Sequence, residues 1–133
     1  MANNFKVIVY YEDTDFSGFV YHANYFKFIE RARSHLITLL GIDQLQLRHD
    51  NMSFAVCALS AKFVKPTYFG DYLEVETDLV KIGGASILLS QRVLKQQECV
   101  FGAEVRLGLV SGGRAIRLPS HIKEKLLSWT DFK

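Results

Sequence analysis

Between Asn24 and Leu40 the apolar residues Tyr25, Ile29, Ala32, Leu36 and Leu39/Leu40 recur at spacings of four, three, four and three, which draws one stripe along a helix. Lys27, Glu30, Arg31 and Ser34 supply the wetter side. Such a stripe has to be covered, and most of the chain around it alternates with a period of two. Asn24 is the expected N-cap, its side-chain oxygen placed to accept an orphan first-turn amide, and Gly41 is the expected stop. A helix of about 17 residues spans roughly 25 Å. Its positive end then faces the segment holding Asp13, Asp15, Tyr21 and His22.

The flanking segments read as strands. Phe5 to Tyr11 sets Phe5, Val7, Val9 and Tyr11 against Lys6, Ile8 and Tyr10 and leads into the Asp-containing loop. Ile42 to Met52 is mixed and polar, a loop with a short helical turn and Leu45 and Leu47 as anchors. From Phe54 to Lys65 one face carries Ala55, Cys57, Leu59, Ala61 and Phe63 and the other Val56, Ala58, Ser60 and Lys62, the pattern of a half-buried strand. Pro66 and Gly70-Asp71 bracket a connection. Leu73, Val75, Thr77 and Leu79 then alternate with Tyr72, Glu74, Glu76 and Asp78, until Val80 and Ile82 fall on the charged face and predict a bulge or a covered strand end. Gly83-Gly84 turns the chain into strands at Ile87–Lys95 and Cys99–Val110. In the second, Cys99, Phe101, Ala103, Val105, Leu107 and Leu109 share one side, with Glu104 and Arg106 opposite. Ser111-Gly112-Gly113-Arg114 is a loop and Ala115–Leu118 a short extension, and Ser120 is placed to cap a last helix through Trp129. One strand, one long helix, four strands and a modest terminal helix predict an α+β fold with an antiparallel sheet packed on the helix.

At 133 residues the chain is expected to be a single domain, residues 1–133, burying roughly two thirds of its unfolded surface. Sixteen basic against fourteen acidic residues leave +2, which does not indicate nucleic-acid binding. Met1 to Lys6 has no basic segment followed by a long apolar core, so no leader is expected, and no apolar run approaches the about 18 residues of a membrane span. Cys57 and Cys99 are far apart, lie in strand-like runs and lack metal-ligand spacing, which predicts buried thiols in a cytoplasmic protein and no metal site. No Gly-x-Ser-x-Gly turn is present, and Gly83-Gly84-Ala85-Ser86 and Ser111-Gly112-Gly113-Arg114 lack the lysine and spacing of a phosphate loop. His35, His49 and His121 read as surface residues.

The chemistry concentrates before the helix. A helix N-terminus offers unpaired amides and a positive partial charge, suited to an oxyanion developing on a carbonyl under attack. Asp15 or Asp13 is placed to activate water or to attack directly, and His22 to position or protonate a leaving group. The plainer reading is that an Asp in such a turn caps backbone amides. The string Tyr11-Glu12-Asp13-Thr14-Asp15, with Gly18, Val20-Tyr21-His22-Ala23-Asn24-Tyr25, Phe28 and Glu30-Arg31-Ala32-Arg33, closely resembles the YbgC-like acyl-CoA thioesterases of the 4-hydroxybenzoyl-CoA thioesterase branch of the hotdog-fold superfamily. The match is dense over the first third of the chain; the remainder agrees in length and strand pattern.

The resemblance implies a hotdog fold, a five-stranded antiparallel sheet wrapped around the long helix. It also implies hydrolysis of an acyl-CoA to free acid and CoA without a cofactor. It puts the catalytic carboxylate on Asp15, makes Asp13 a neighbour that shapes the loop and meets the substrate, and assigns polarisation of the thioester carbonyl to amides around Tyr21, His22 and Ala23. A homodimer or homotetramer is implied, with the substrate between subunits and Lys62, Lys65, Lys81 and Arg114 as candidate contacts to the coenzyme phosphates. Two rivals remain at this level: a non-catalytic binding protein for acyl-CoA or acyl carriers, and a 3-hydroxyacyl thioester dehydratase.

Overall fold

The helical stripe folds as its spacing predicts. In the computed structural model, which describes residues 3–129, helix α1 spans Asn24–Leu39 and buries Tyr25, Phe28, Ile29, Ala32, Leu36 and Ile37. Leu40 is also buried whereas Leu39 faces water, so the stripe closes on the second of the two leucines. Gly41 ends the helix with φ +84°, a left-handed conformation that costs glycine no steric penalty. Asn24 is not the cap. Ala23 holds that position, and the Asn24 amide group instead donates to a buried carboxylate, that of Asp13, at 2.9 Å.

Around α1 run β1 (Asn3–Ile8), a 3-10 turn (Tyr11–Asp13), helix α2 (Gln44–His49), β2 (Ser53–Phe63), β3 (Tyr72–Ile82), β4 (Ser86–Lys95), β5 (Glu98–Ser111), β6 (Arg114–Ala115) and helix α3 (Ser120–Leu127). The sheet is antiparallel in the order β1-β3-β4-β5-β2, with two-residue β6 pairing the far end of β5. Five long strands curl about one helix, as the resemblance implies, and the sixth is a minor addition. β1 stops at Ile8, short of Tyr11, because the chain turns there into the 3-10 segment.

The expected irregularity in β3 is a register shift between Leu79 and Lys81, which returns Ile82 to the helix-facing side opposite Ile87. In the polar segment α2 is capped by Asp43, whose Oδ1 accepts the Leu45 amide at 3.0 Å. Leu47 anchors it; Leu45 points to solvent. At α3 the cap position belongs to Pro119 and Ser120 is already helical. Trp129, just beyond α3, is buried in the core.

Two findings depart from the strand pattern. β2 lies at the sheet border and is mostly exposed on both faces, including Val56, Leu59 and Phe63, although its alternation reads as half-buried. Cys57, in a register irregularity of that border, is exposed, and Cys99 is only partly covered; both are free thiols. Beneath α1 the core also holds charge. The Arg33 guanidinium donates to Gln91 Oε1 at 3.3 Å, while Gln91 Nε2 donates to the Ile29 carbonyl at 2.9 Å and to Thr77 Oγ1 at 3.0 Å. Burial lowers the affinity of Arg33 for its proton, and nearby Glu30 opposes that effect.

Candidate active site

The segment between β1 and α1 folds back on itself as a short hairpin. Thr14 pairs with Val20, the Tyr21 amide donates to the Asp13 carbonyl at 2.8 Å, and the Asp15 amide donates to the Phe19 carbonyl at 2.9 Å. The tip is a tight turn in which the Gly18 amide donates to the Asp15 carbonyl at 3.0 Å. Gly18 has φ +87°, the left-handed residue such three-residue hairpin loops require. Asp15 therefore stands at the tip, exposed, at the head of the turn. Its Oδ1 accepts the Ser17 amide at 2.9 Å and the Ser17 hydroxyl, which fixes the direction of the carboxylate.

Asp13 has a different station. It is buried, its Oδ2 accepts the Tyr10 amide at 2.9 Å, and its Oδ1 accepts from Asn24 at 2.9 Å. With each carboxylate oxygen and its carbonyl accepting a protein hydrogen bond, buried Asp13 ties the hairpin base to the start of α1. The Tyr21 amide, spent on Asp13, leaves the group of candidate oxyanion donors for the same reason. Among the described residues the amides of His22 and Ala23 meet no protein acceptor, and they lie at the positive end of α1.

Beside these amides runs a groove of about 250 Å³ lined by Phe19, Val20, His22, Tyr25, Phe63, Val64, Lys65 and Pro66. The exposed His22 ring stands 4.6 Å from Tyr21 and 6.1 Å from Phe63, centroid to centroid. Tyr25 stacks on Phe101 at 4.8 Å and hydrogen-bonds Thr67 Oγ1 at 2.6 Å through its hydroxyl. The groove is thus lined mostly by apolar and aromatic side chains, with His22 and Lys65 as its ionisable members apart from Tyr25.

The basic candidates disperse. Lys65 lines the groove and pairs with Glu98 at 2.8 Å on the surface. Lys62 lies on the opposite face of the sheet, lining a second groove of about 550 Å³ with Ser60, Arg92 and Glu104. Lys81 and Arg114 lie at the far end: Lys81 is ten residue steps along β3 from Asp71, roughly 33 Å of strand. Among the described residues no group of His, Cys, Asp and Glu is arranged to hold a metal ion. Thr67 is not foreseen in the sequence, because the segment from Pro66 to Asp71 carries no period and announces itself only as a connection; Phe63 reads there only as a strand-face residue and the Asn24 side chain only as a helix cap.

A curled antiparallel sheet around one helix, with open amides just before the helix and a carboxylate, Asp15, at the exposed tip of the hairpin that leads into it and outside the lining of the groove, defines a hotdog-type acyl-transfer scaffold. The chain belongs to the thioesterase-like superfamily, whose family model matches residues 9–129. It is 37% identical over 123 residues to the acyl-CoA thioesterase YbgC of Haemophilus influenzae, covering 90% of each chain. It is 32% identical over 129 residues to the acyl-CoA thioesterase YbgC of Helicobacter pylori, covering 89% of this chain and 95% of that one. The crystal structure of a probable thioesterase from Bartonella henselae superposes with a TM-score of 0.85 at 31% identity, over 90% of this chain and all of that one. Among the described residues no helix is long and apolar enough to cross a membrane.

Proposed function

We propose that this chain hydrolyses the thioester of an acyl-CoA. The observation that carries the reading is the pair of unpaired amides at His22 and Ala23, set beside an apolar groove. A thioester carbonyl oxygen placed against them gains its hydrogen bonds as negative charge develops, which lowers the barrier more than it strengthens ground-state binding. Asp15 supplies the other half, either abstracting a proton from water or attacking the carbonyl carbon, and Ser17 keeps its carboxylate aimed. His22 and Tyr21 orient the thioester at the mouth. The relatives named acyl-CoA thioesterase support the same reaction class.

The share of the acyl site that this chain supplies, about 250 Å³, is room for a single ring or a short chain, given that a dry cavity of ~150 Å³ holds benzene. A second copy completes it. β2 presents an open border with Val56, Leu59 and Phe63 uncovered, and two such borders joined antiparallel about a two-fold axis make one continuous sheet. That pairing carries the partner's far end, with its copies of Lys81 and Arg114, alongside the groove end of this chain, where the coenzyme phosphates emerge. The cytoplasm, where acyl-CoA is made, is the expected compartment.

Replacing Asp15 by Asn tests the assignment. Turnover of a panel of acyl-CoAs, followed by released thiol, is expected to fall by about a hundredfold or more with circular dichroism and Tm unchanged. Near-normal turnover in a folded Asp15→Asn protein would remove Asp15 from the mechanism.

A further inference from the structure

We infer that Thr67 is a positioning residue for this reaction, holding the Asp15 hairpin and the start of α1 in fixed relation; the inference rests on the role given to Asp15 above. Thr67 is fully buried, and its two polar ends go to different halves of the site. Its carbonyl accepts the Val20 amide at 2.8 Å, in the returning arm of the hairpin directly across from Thr14. Its hydroxyl meets the Tyr25 hydroxyl at 2.6 Å, one residue into α1 and beside the open amides of His22 and Ala23. Among the described residues no other one outside the hairpin bonds to both parts.

The frame behind Thr67 is firm. Gly70 and Asp71 exchange backbone hydrogen bonds with Val9, at 2.9 and 3.0 Å, and the Asp71 carboxylate accepts from the Tyr68 amide and the Lys95 ammonium group, each at 2.9 Å. The hairpin is otherwise fastened at its base by Asp13 and Asn24 and along its flank by the Phe19–Tyr68 bridge. The tip of this arm carries Asp15, whose amide is paired with Phe19, so its position follows the returning strand that Thr67 and Tyr68 hold. Small displacements there matter because attack on a carbonyl tolerates little error in distance or angle. A buried threonine is also a poor choice for filling apolar space unless its hydroxyl is bonded. The bond to Tyr25 gives that hydroxyl its use.

The test compares three single variants and one double variant of the full chain. Thr67→Val keeps the shape and removes the hydroxyl; kcat for an acyl-CoA is expected to fall about tenfold while KM stays within about twofold. Tyr25→Phe, which removes the other half of the contact, is expected to match it, and the double variant to lose no more than either alone. Thr67→Ser, which retains the hydroxyl, is expected to recover most of the loss. Unchanged kcat in Thr67→Val, equal losses in Thr67→Val and Thr67→Ser, or multiplied losses in the double variant would each overturn the assignment, whatever happens to Tm. Asp15→Asn separates the two readings: if it abolishes turnover while Thr67→Val leaves kcat unchanged, the clamp fails and the proposed reaction stands; if it leaves turnover intact, the reaction scheme itself fails.

Discussion

Burial pushes the Tyr25 phenol above its ordinary value of 10.0; hydrogen bonding with Thr67 pulls it partly back, and the charge of Asp71 adds to the rise. The folded chain therefore holds this proton more tightly than the unfolded chain. The corresponding stability is intact below 10.0 and is lost as pH climbs from there through the folded value. Urea midpoints measured from about pH 8 to about pH 11 should fall more steeply for the parent than for Tyr25→Phe, and parallel curves would contradict the burial argument. Asp13 and Asp15 show what single residues disclose in the sequence. Two carboxylates before a helix start were legible as a pair, and the resemblance separated their roles. That every acceptor oxygen of Asp13 takes a bond, from Tyr10, Asn24 and Tyr21, depends on how the hairpin crosses the helix, which no local pattern records.

At the level of elements, strands with strict alternation were legible nearly to their ends, because each has one face on α1 and the other in water. Legibility failed where that condition failed. Val100 is an extra residue in β5, skipped between the Val93–Phe101 and Leu94–Cys99 pairs, and it is buried although it sits out of phase. The turn from β4 to β5 is a two-residue loop, Gln96-Gln97, with φ of 50° and 68°. Type I′ turns of this kind usually announce themselves with Asn-Gly, and here neither residue is present. Two glutamines in the left-handed region each carry a steric cost that glycine avoids. Gln97→Gly should stabilise the protein by about 1 kcal/mol and raise Tm by about 4 °C; calorimetry that shows no gain would mean the turn is unstrained.

For the molecule as a whole, the sequence could rank lysines and arginines as phosphate contacts but could not see that the sheet sends them to different faces and ends. Lys65 stays by the groove, Lys62 lies behind it, and Lys81 and Arg114 sit a strand's length away. The burial of β2 was misread for a related reason: alternation shows that a face is apolar, and whether anything inside the chain covers it is a separate matter. If a second copy covers it, Leu59→Asp should convert a dimer to a monomer in sedimentation equilibrium and depress turnover with it, since a buried, unpaired carboxylate costs several kcal/mol. A parent chain that sediments as a monomer would remove the paired arrangement.

An eleven-residue border left bare also sets conditions for how the chain is born. If the proposed pairing of two borders holds, freshly synthesised copies have to meet before unrelated strands meet them, so slow production favours paired chains, while a burst of half-folded neighbours favours inclusion bodies.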